Sequence, residues 1–311
     1  MGAKRLALPA VAVGVIAVSA AAIFIRLADA PPLAIAFWRN ALGVVLLFPV
    51  ALARREAFPR GRALWIGVAS GVALGTHFGF WISSLDYTSV AASVVLVSTQ
   101  PVFVAILAYL LFREKTSILS FAGILVAIAG TAVIAADDSV GSAALFGNVL
   151  ALVGAVTVAV YVLIGRSLRT TGGIGVLPYS IVVYAAAALT LAPAALLADQ
   201  PLWGYSGETW FWLLAITLGP QILGHTVFNW ALKYVDASLI SGTILAEPIV
   251  SALLAWLLLA EKPGPATVLG GAVVLAGLYL LLRGYRPASK GEPPVETVTQ
   301  GKRDHRPPHP L

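Results

Sequence analysis

Cysteine is absent from the 311 residues, which excludes disulfides, zinc–thiolate sites and thiol chemistry. Charge is scarce. Asp, Glu, Lys and Arg make up 11% of the chain, less than half of the roughly one quarter that a soluble domain carries. The short patterns of familiar enzyme and pump chemistries are also missing. No His-Glu-x-x-His, no Gly-x-Ser-x-Gly and no paired intramembrane aspartates supply a metal site or nucleophile. No Gly-x-x-x-x-Gly-Lys-[Ser/Thr] run supplies a nucleotide site, and no ring of charges marks a channel filter. The expectation is a protein that is not an enzyme and uses no cofactor or resident metal.

What the chain has in abundance is apolar sequence. Hydrophobic residues are 59% of it, and the mean hydropathy is +0.91. Continuous apolar segments run over 6–28, 31–53, 63–85, 89–112, 118–136, 144–164, 174–198, 209–232, 236–259 and 265–283. Each approaches the ~20 residues that a helix needs to cross the hydrocarbon core, and none alternates as a strand does. The expected fold class is an all-α membrane protein of ten transmembrane helices, with no room for a soluble catalytic domain. Lys4-Arg5 before an apolar run resembles a signal peptide, but Leu6 to Ala28 is too long for a usual h-region. It reads as the first membrane helix.

The formal net charge of +6 reads as loop charge rather than as a nucleic-acid surface. With ten spans and a cytoplasmic N-terminus, the inner flanks hold Lys4, Arg5, Arg54, Arg55, Arg60, Arg62, Arg113, Lys115, Arg166, Arg169, Lys233, Arg283 and Arg286. The outer flanks hold only Arg26 and Lys262, together with Asp29, Asp86, Asp137, Asp138, Asp199, Glu208 and Glu261. The positive-inside rule selects N-in and C-in, in the cell inner membrane. Residues 287–311 are rich in proline and charge and lack an apolar run, so they read as a disordered cytoplasmic tail. His305 and His309 lie there and read as solvated side chains rather than metal ligands.

Residues 87–134 align without gaps on 234–281, at an offset of 261 − 114 = 147. Tyr87 meets Tyr234, Pro101 meets Pro248, Glu114-Lys115 meets Glu261-Lys262, Gly123 meets Gly270, and Gly130 meets Gly277. Apolar matches are cheap between membrane helices; a proline, an ion-pair motif and two glycines at one offset are not. Each unit covers the fourth and fifth helices of a five-helix half. Five is odd, so the second half enters the membrane from the opposite side, giving the inverted repeat typical of secondary transporters. The chain accordingly divides into a first five-helix repeat, 1–136, a second, 137–286, and the tail, 287–311.

The run DYTSVAASVVLVSTQPVFVAILAYLLFREK and its partner DASLISGTILAEPIVSALLAWLLLAEK resemble the two EamA-type repeats of the drug/metabolite transporter superfamily. The shared pattern is a proline in mid-helix and a Glu closing the helix. The stretch PPLAIAFWRNALG resembles the family's second helix, with its arginine at Arg39. The resemblance covers about residues 6–283. It implies a ten-helix transporter, usually an exporter of amino acids or other metabolites.

Polar groups inside membrane helices are costly, at least ~2.5–3.5 kcal/mol for a charge at the bilayer centre, and so they mark candidates. Glu247 lies roughly 16 Å along the ninth segment, near the midplane. Pro248 follows it and is expected to free the carbonyl of Ile244, making a place for a cation or proton. The equivalent pair, Gln100-Pro101, is expected to free Val97; Gln100 is polar but cannot titrate. Arg39, roughly 12 Å into the second segment, either attracts a substrate carboxylate or braces neighbouring helices. Gln221, His225 and Asn229 recur every four residues after Pro220 and are expected to share one face, as a cavity lining or an interhelical ladder. His77 and Trp81 are again four apart, and Ser98, Thr99, Ser241 and Thr243 add hydroxyls. Trp38 and Trp65, at helix ends, read as interfacial anchors. Gly123, Gly130, Gly270 and Gly277 permit close helix approach, within the chain or at a homodimer face.

The combined expectation is a secondary active transporter that takes a small-molecule substrate across the lipid bilayer by alternating access. A site combining Arg39, Glu247, His225 and aromatics suits a zwitterion such as an amino acid. A facilitator or exchanger of sugars or organic cations is the alternative, and an intramembrane enzyme a remote one. The residues do not choose between import and export; the resemblance leans to export.

Overall fold

The computed structural model describes residues 2–88, 90–112, 116–135, 142–171, 173–259 and 264–284. Among them every regular element is helical, in the order α1 (Gly2–Ser19), α2 (Ala21–Leu27), α3 (Pro32–Ala53), α4 (Arg62–Ser84), α5 (Val90–Val97), α6 (Gln100–Phe112), α7 (Ile118–Ala135) and α8 (Ser142–Thr171). The order continues with α9 (Val176–Leu197), α10 (Gly207–Ile216), a π-helix (Thr217–Thr226), α11 (Val227–Ala231), α12 (Ala237–Thr243), a 3-10 turn (Ile244–Ala246), α13 (Glu247–Leu259) and α14 (Pro265–Gly284). Eight helical stretches are long and apolar enough to cross a membrane, and Ile118–Gly130 and Val268–Gly284 are shorter apolar helices. These stretches overlie the ten apolar segments read from the sequence.

Four of the segments are interrupted. The first breaks after Ser19, whose hydroxyl donates to the Val15 carbonyl while its own carbonyl accepts from Ser251. The eighth widens into the π-helix around Pro220, which has no N–H for a regular ladder. The fourth and ninth break immediately before Gln100-Pro101 and Glu247-Pro248, matched positions at the offset of 147. The ninth closes its break differently from the sequence expectation. The Ile244 carbonyl is not freed, because the 3-10 turn supplies it with the Glu247 N–H. The chain tightens by one residue per turn and so replaces the donor that proline removes.

Glycines set the close contacts. On α4, a Cβ at Gly71 would collide with the Val183 carbonyl of α9, and one at Gly75 would come within 2.9 Å of the Ala187 carbonyl. Helices α7 and α14 run antiparallel with their glycines in mutual contact: a Cβ at Gly123 would meet the Gly277 carbonyl at 2.6 Å, and one at Gly130 the Gly270 carbonyl at 2.7 Å. All four repeat glycines are therefore spent within the chain.

The end of the bundle at which α3 begins is the upper end here. There the α9–α10 connection covers α3. Gln200 Oε1 accepts the Leu33 N–H at 2.8 Å, and Trp38 Nε1 donates to the Leu202 carbonyl at 2.6 Å. Trp38 is buried between Trp203 and Trp210, so it packs under this connection instead of anchoring at a lipid interface; Trp65 is exposed, at 71%. Glu114-Lys115, Glu261-Lys262 and the tail 287–311 lie outside the described residues.

Candidate functional site

The helix breaks surround a cavity between α1–α2, α3, α4, α5–α6, α8, the π-helix with α11, and α12–α13. Seven of the eight polar and aromatic candidates line it: Arg39, His77, Trp81, Gln100, His225, Asn229 and Glu247. Pro220 does too, as do Val97, the last residue of α5, and Ile244, the first of the 3-10 turn. Pro101 and Pro248 set the breaks without joining the lining.

Gln221 stands behind the cavity rather than on its wall. Its Oε1 accepts Arg39 Nε–H at 2.8 Å, and its Nε2 donates to Asn40 Oδ1 at 3.0 Å. The expected stripe of Gln221, His225 and Asn229 is thus divided. His225 and Asn229 are on the wall, while the Gln221 amide is engaged by Arg39 and Asn40 of α3.

Arg39 is 1% exposed and held on two sides. Gln221 takes Nε, and the guanidinium carbon sits 3.8 Å from the centre of the Phe78 ring, a cation–π contact. Its Nη1 has no hydrogen-bond partner. Trp81 Nε1 and Gln100 Oε1 are likewise buried without a partner. Among the described residues five buried side-chain polar atoms are unpartnered, and these three belong to residues lining one cavity. Unmet hydrogen bonds in buried positions are rare and costly, so their concentration marks a place that a ligand or water completes. The Glu247 carboxyl, 7% exposed, also has no hydrogen bond or ion pair among the described residues, although it lies within electrostatic range of Arg39.

The aromatic wall completes the site. The His77 ring stacks on Trp81 with centroids 5.8 Å apart, and its Nδ1 is 2.9 Å from the Gly154 carbonyl, whose N–H-free oxygen makes Nδ1 the protonated nitrogen. His225 stands edge-on to Phe78 at 5.2 Å and lies 6.1 Å from Tyr161 and 6.4 Å from Phe228. Tyr161 donates to Asn229 Oδ1 at 2.6 Å. Tyr161, Phe78 and Phe228 had no mark in the sequence, being aromatic residues in apolar runs. Ser98 is buried and unpartnered, whereas Ser241 is on the wall.

A second, polar cavity lies at the upper end, between Arg26, Asp29 and Asp86. Burial pushes the Asp86 carboxyl above its ordinary range, and Arg26 pulls the other way.

The EamA-like transporter family model matches residues 5–136 and 145–283. An uncharacterized transporter of Archaeoglobus fulgidus is 27% identical over 269 residues, covering 83% of this chain and 91% of its own. A second from the same organism is 23% identical over 282 residues, covering 91% and 96%. The uncharacterized transporter YoaV of Bacillus subtilis is 22% identical over 260 residues, covering 81% and 87%. A solved crystal structure superposes with a TM-score of 0.77 at 20% identity, covering 91% of this chain and 99% of that one, which establishes a shared fold.

Proposed function

The chain belongs to the EamA-like transporter family and is a multi-pass membrane protein, and from that premise we propose that it is a secondary active transporter that exports amino acids or similar small metabolites across the cell inner membrane. The observation that carries this reading is the set of unmet polar atoms on one cavity wall. Arg39 Nη1 and Trp81 Nε1 are donors with nothing to donate to, and Gln100 Oε1 is an acceptor with nothing to accept. Glu247 adds a carboxyl without a hydrogen bond. A carboxylate placed against Arg39 and Trp81, with an ammonium against Glu247 and Gln100, satisfies all four at once. The aromatic wall around His225 is left for the rest of the molecule.

Alternating access follows from ten spans in two inverted halves, 1–136 and 137–286, with both termini cytoplasmic. The paired helix breaks before Gln100 and Glu247 support that reading, since each gives one half a joint at the matched position of the repeat. The thirteen-to-two charge asymmetry supports the orientation. With no nucleotide motif in the chain, a proton exchanged at Glu247 supplies the coupling.

The test is a transport screen of the purified protein in liposomes, with amino acids, sugars and organic cations offered separately. Movement of one or more amino acids with saturation, and none of sugars, supports the proposal. Saturable movement of sugars or organic cations alone contradicts it and favours the facilitator or exchanger.

A further inference from the structure

We propose that Arg166 and Arg169, one turn apart near the end of α8, form a latch that holds the lower end of the cavity closed and must release for the cavity to open on that side. The inference rests on the transporter reading above and adds the element that controls one of its two openings.

Helix α11 finishes at Ala231 and the chain turns towards α12. The last carbonyls of a helix have no partner within it. Here backbone N–H groups meet those of Phe228, Trp230 and Ala231, and the arginines take that of Asn229 and carbonyls of the connection that follows. Arg169 Nε donates to the Asn229 carbonyl at 3.0 Å, and Arg169 Nη1 donates to the Ile174 carbonyl before α9. Arg166 Nη1 donates to the Leu232 carbonyl at 2.9 Å and the Val235 carbonyl at 3.1 Å. Arg166 Nη2 forms an ion pair with Asp236 at 2.7 Å, at the start of α12. Two cations at a helix C-terminus also complement its dipole.

The gripped backbone belongs to the cavity. Asn229 and Leu232 both line it. Asn229 is bound on both sides: its side chain accepts from Tyr161 on the cavity wall, and its carbonyl accepts from Arg169. A substrate that moves Asn229 or Leu232 therefore pulls on the latch without touching it. The same two arginines join α8, the α11–α12 connection and the start of α9, so separating these elements at the lower end breaks the set together. Charge-assisted hydrogen bonds of this kind are about twice as strong as neutral ones and are suited to holding one of two discrete states.

The chain has no cysteine, so one introduced thiol is the only one present. Ser241→Cys places it on the cavity wall. Its reaction with a small membrane-impermeant methanethiosulfonate is followed in inside-out vesicles and in spheroplasts, with and without Arg166→Gln. The expected result is labelling at least roughly tenfold faster from the cytoplasmic side, the change that loss of a single charge-assisted hydrogen bond produces, and no faster from the other side. Asp236→Asn, the milder change, should shift labelling in the same direction by less, and it serves if Arg166→Gln fails to fold. Unchanged labelling in a folded variant overturns the latch, and so does equal acceleration from both sides, which reports general loosening. Acceleration confined to the periplasmic side upholds the latch and overturns the proposed orientation.

Discussion

Arg39 and Glu247 line one cavity and are not paired with each other. Arg39 is fixed by Gln221 and by the Phe78 ring, and it keeps one guanidinium nitrogen unpartnered. A guanidinium and a titratable carboxyl, buried in a membrane protein and not engaged with each other, leave a gap that a molecule carrying both an acid and an amine can bridge. A pair engaged only with each other would have read as a helix brace.

Arg39→Lys tests this arrangement. Lysine keeps the charge but lacks the planar fork that reaches Gln221 and stacks on Phe78. The expected outcome is a KM for a carboxylate-bearing substrate raised about tenfold, the loss of one charge-assisted hydrogen bond, with a much smaller change for the corresponding amide. Liposome uptake measured with both compounds checks it.

The polar candidates were legible because each interrupts an apolar run, where a polar group needs a reason to be. The proline breaks were legible for the same kind of reason, since a missing N–H leaves a mark in any helix. Three features were not. Tyr161, Phe78 and Phe228 line or back the cavity with side chains that are ordinary in membrane helices, and only the neighbouring helices decide which way they face. The position of Gln221 follows from its amide being taken by Arg39 and Asn40, partners distant in the chain. The arginines at the end of α8 were counted only as positive-inside charge, because their partners are backbone carbonyls distant in the chain.

Helices α7 and α14 offer a test of the fold. A side chain at Gly277 has no space, because its Cβ would collide with the Ala127 backbone and the Gly123 carbonyl. Gly277→Leu should destabilise the folded protein by about 1–3 kcal/mol or more, as overpacking does, read as a lower melting temperature in detergent. Gly264→Ala, where a Cβ meets nothing within 4 Å, is the control and should leave it unchanged.

Orientation is tested by reporter fusion. The charge asymmetry predicts a cytoplasmic C-terminus. A reporter fused after Arg286 should be active only in its cytosolic form. Activity in the periplasmic form would contradict the ten-span, N-in reading.

Under the proposed function, Glu247 couples substrate movement to protons. Burial disfavours a charged carboxylate, so a carboxyl that water reaches alternately from each side can load and release a proton once per cycle. Gln100 occupies the matched position in the other half and cannot titrate. Adding Gln100→Glu to Glu247→Gln should therefore not restore coupling, because the walls around the two positions differ. The direct measurement is liposome transport by Glu247→Gln with and without an imposed pH gradient. Substrate exchange down its own gradient should persist, and pH-driven accumulation should be lost. Full gradient-driven accumulation by Glu247→Gln would contradict it.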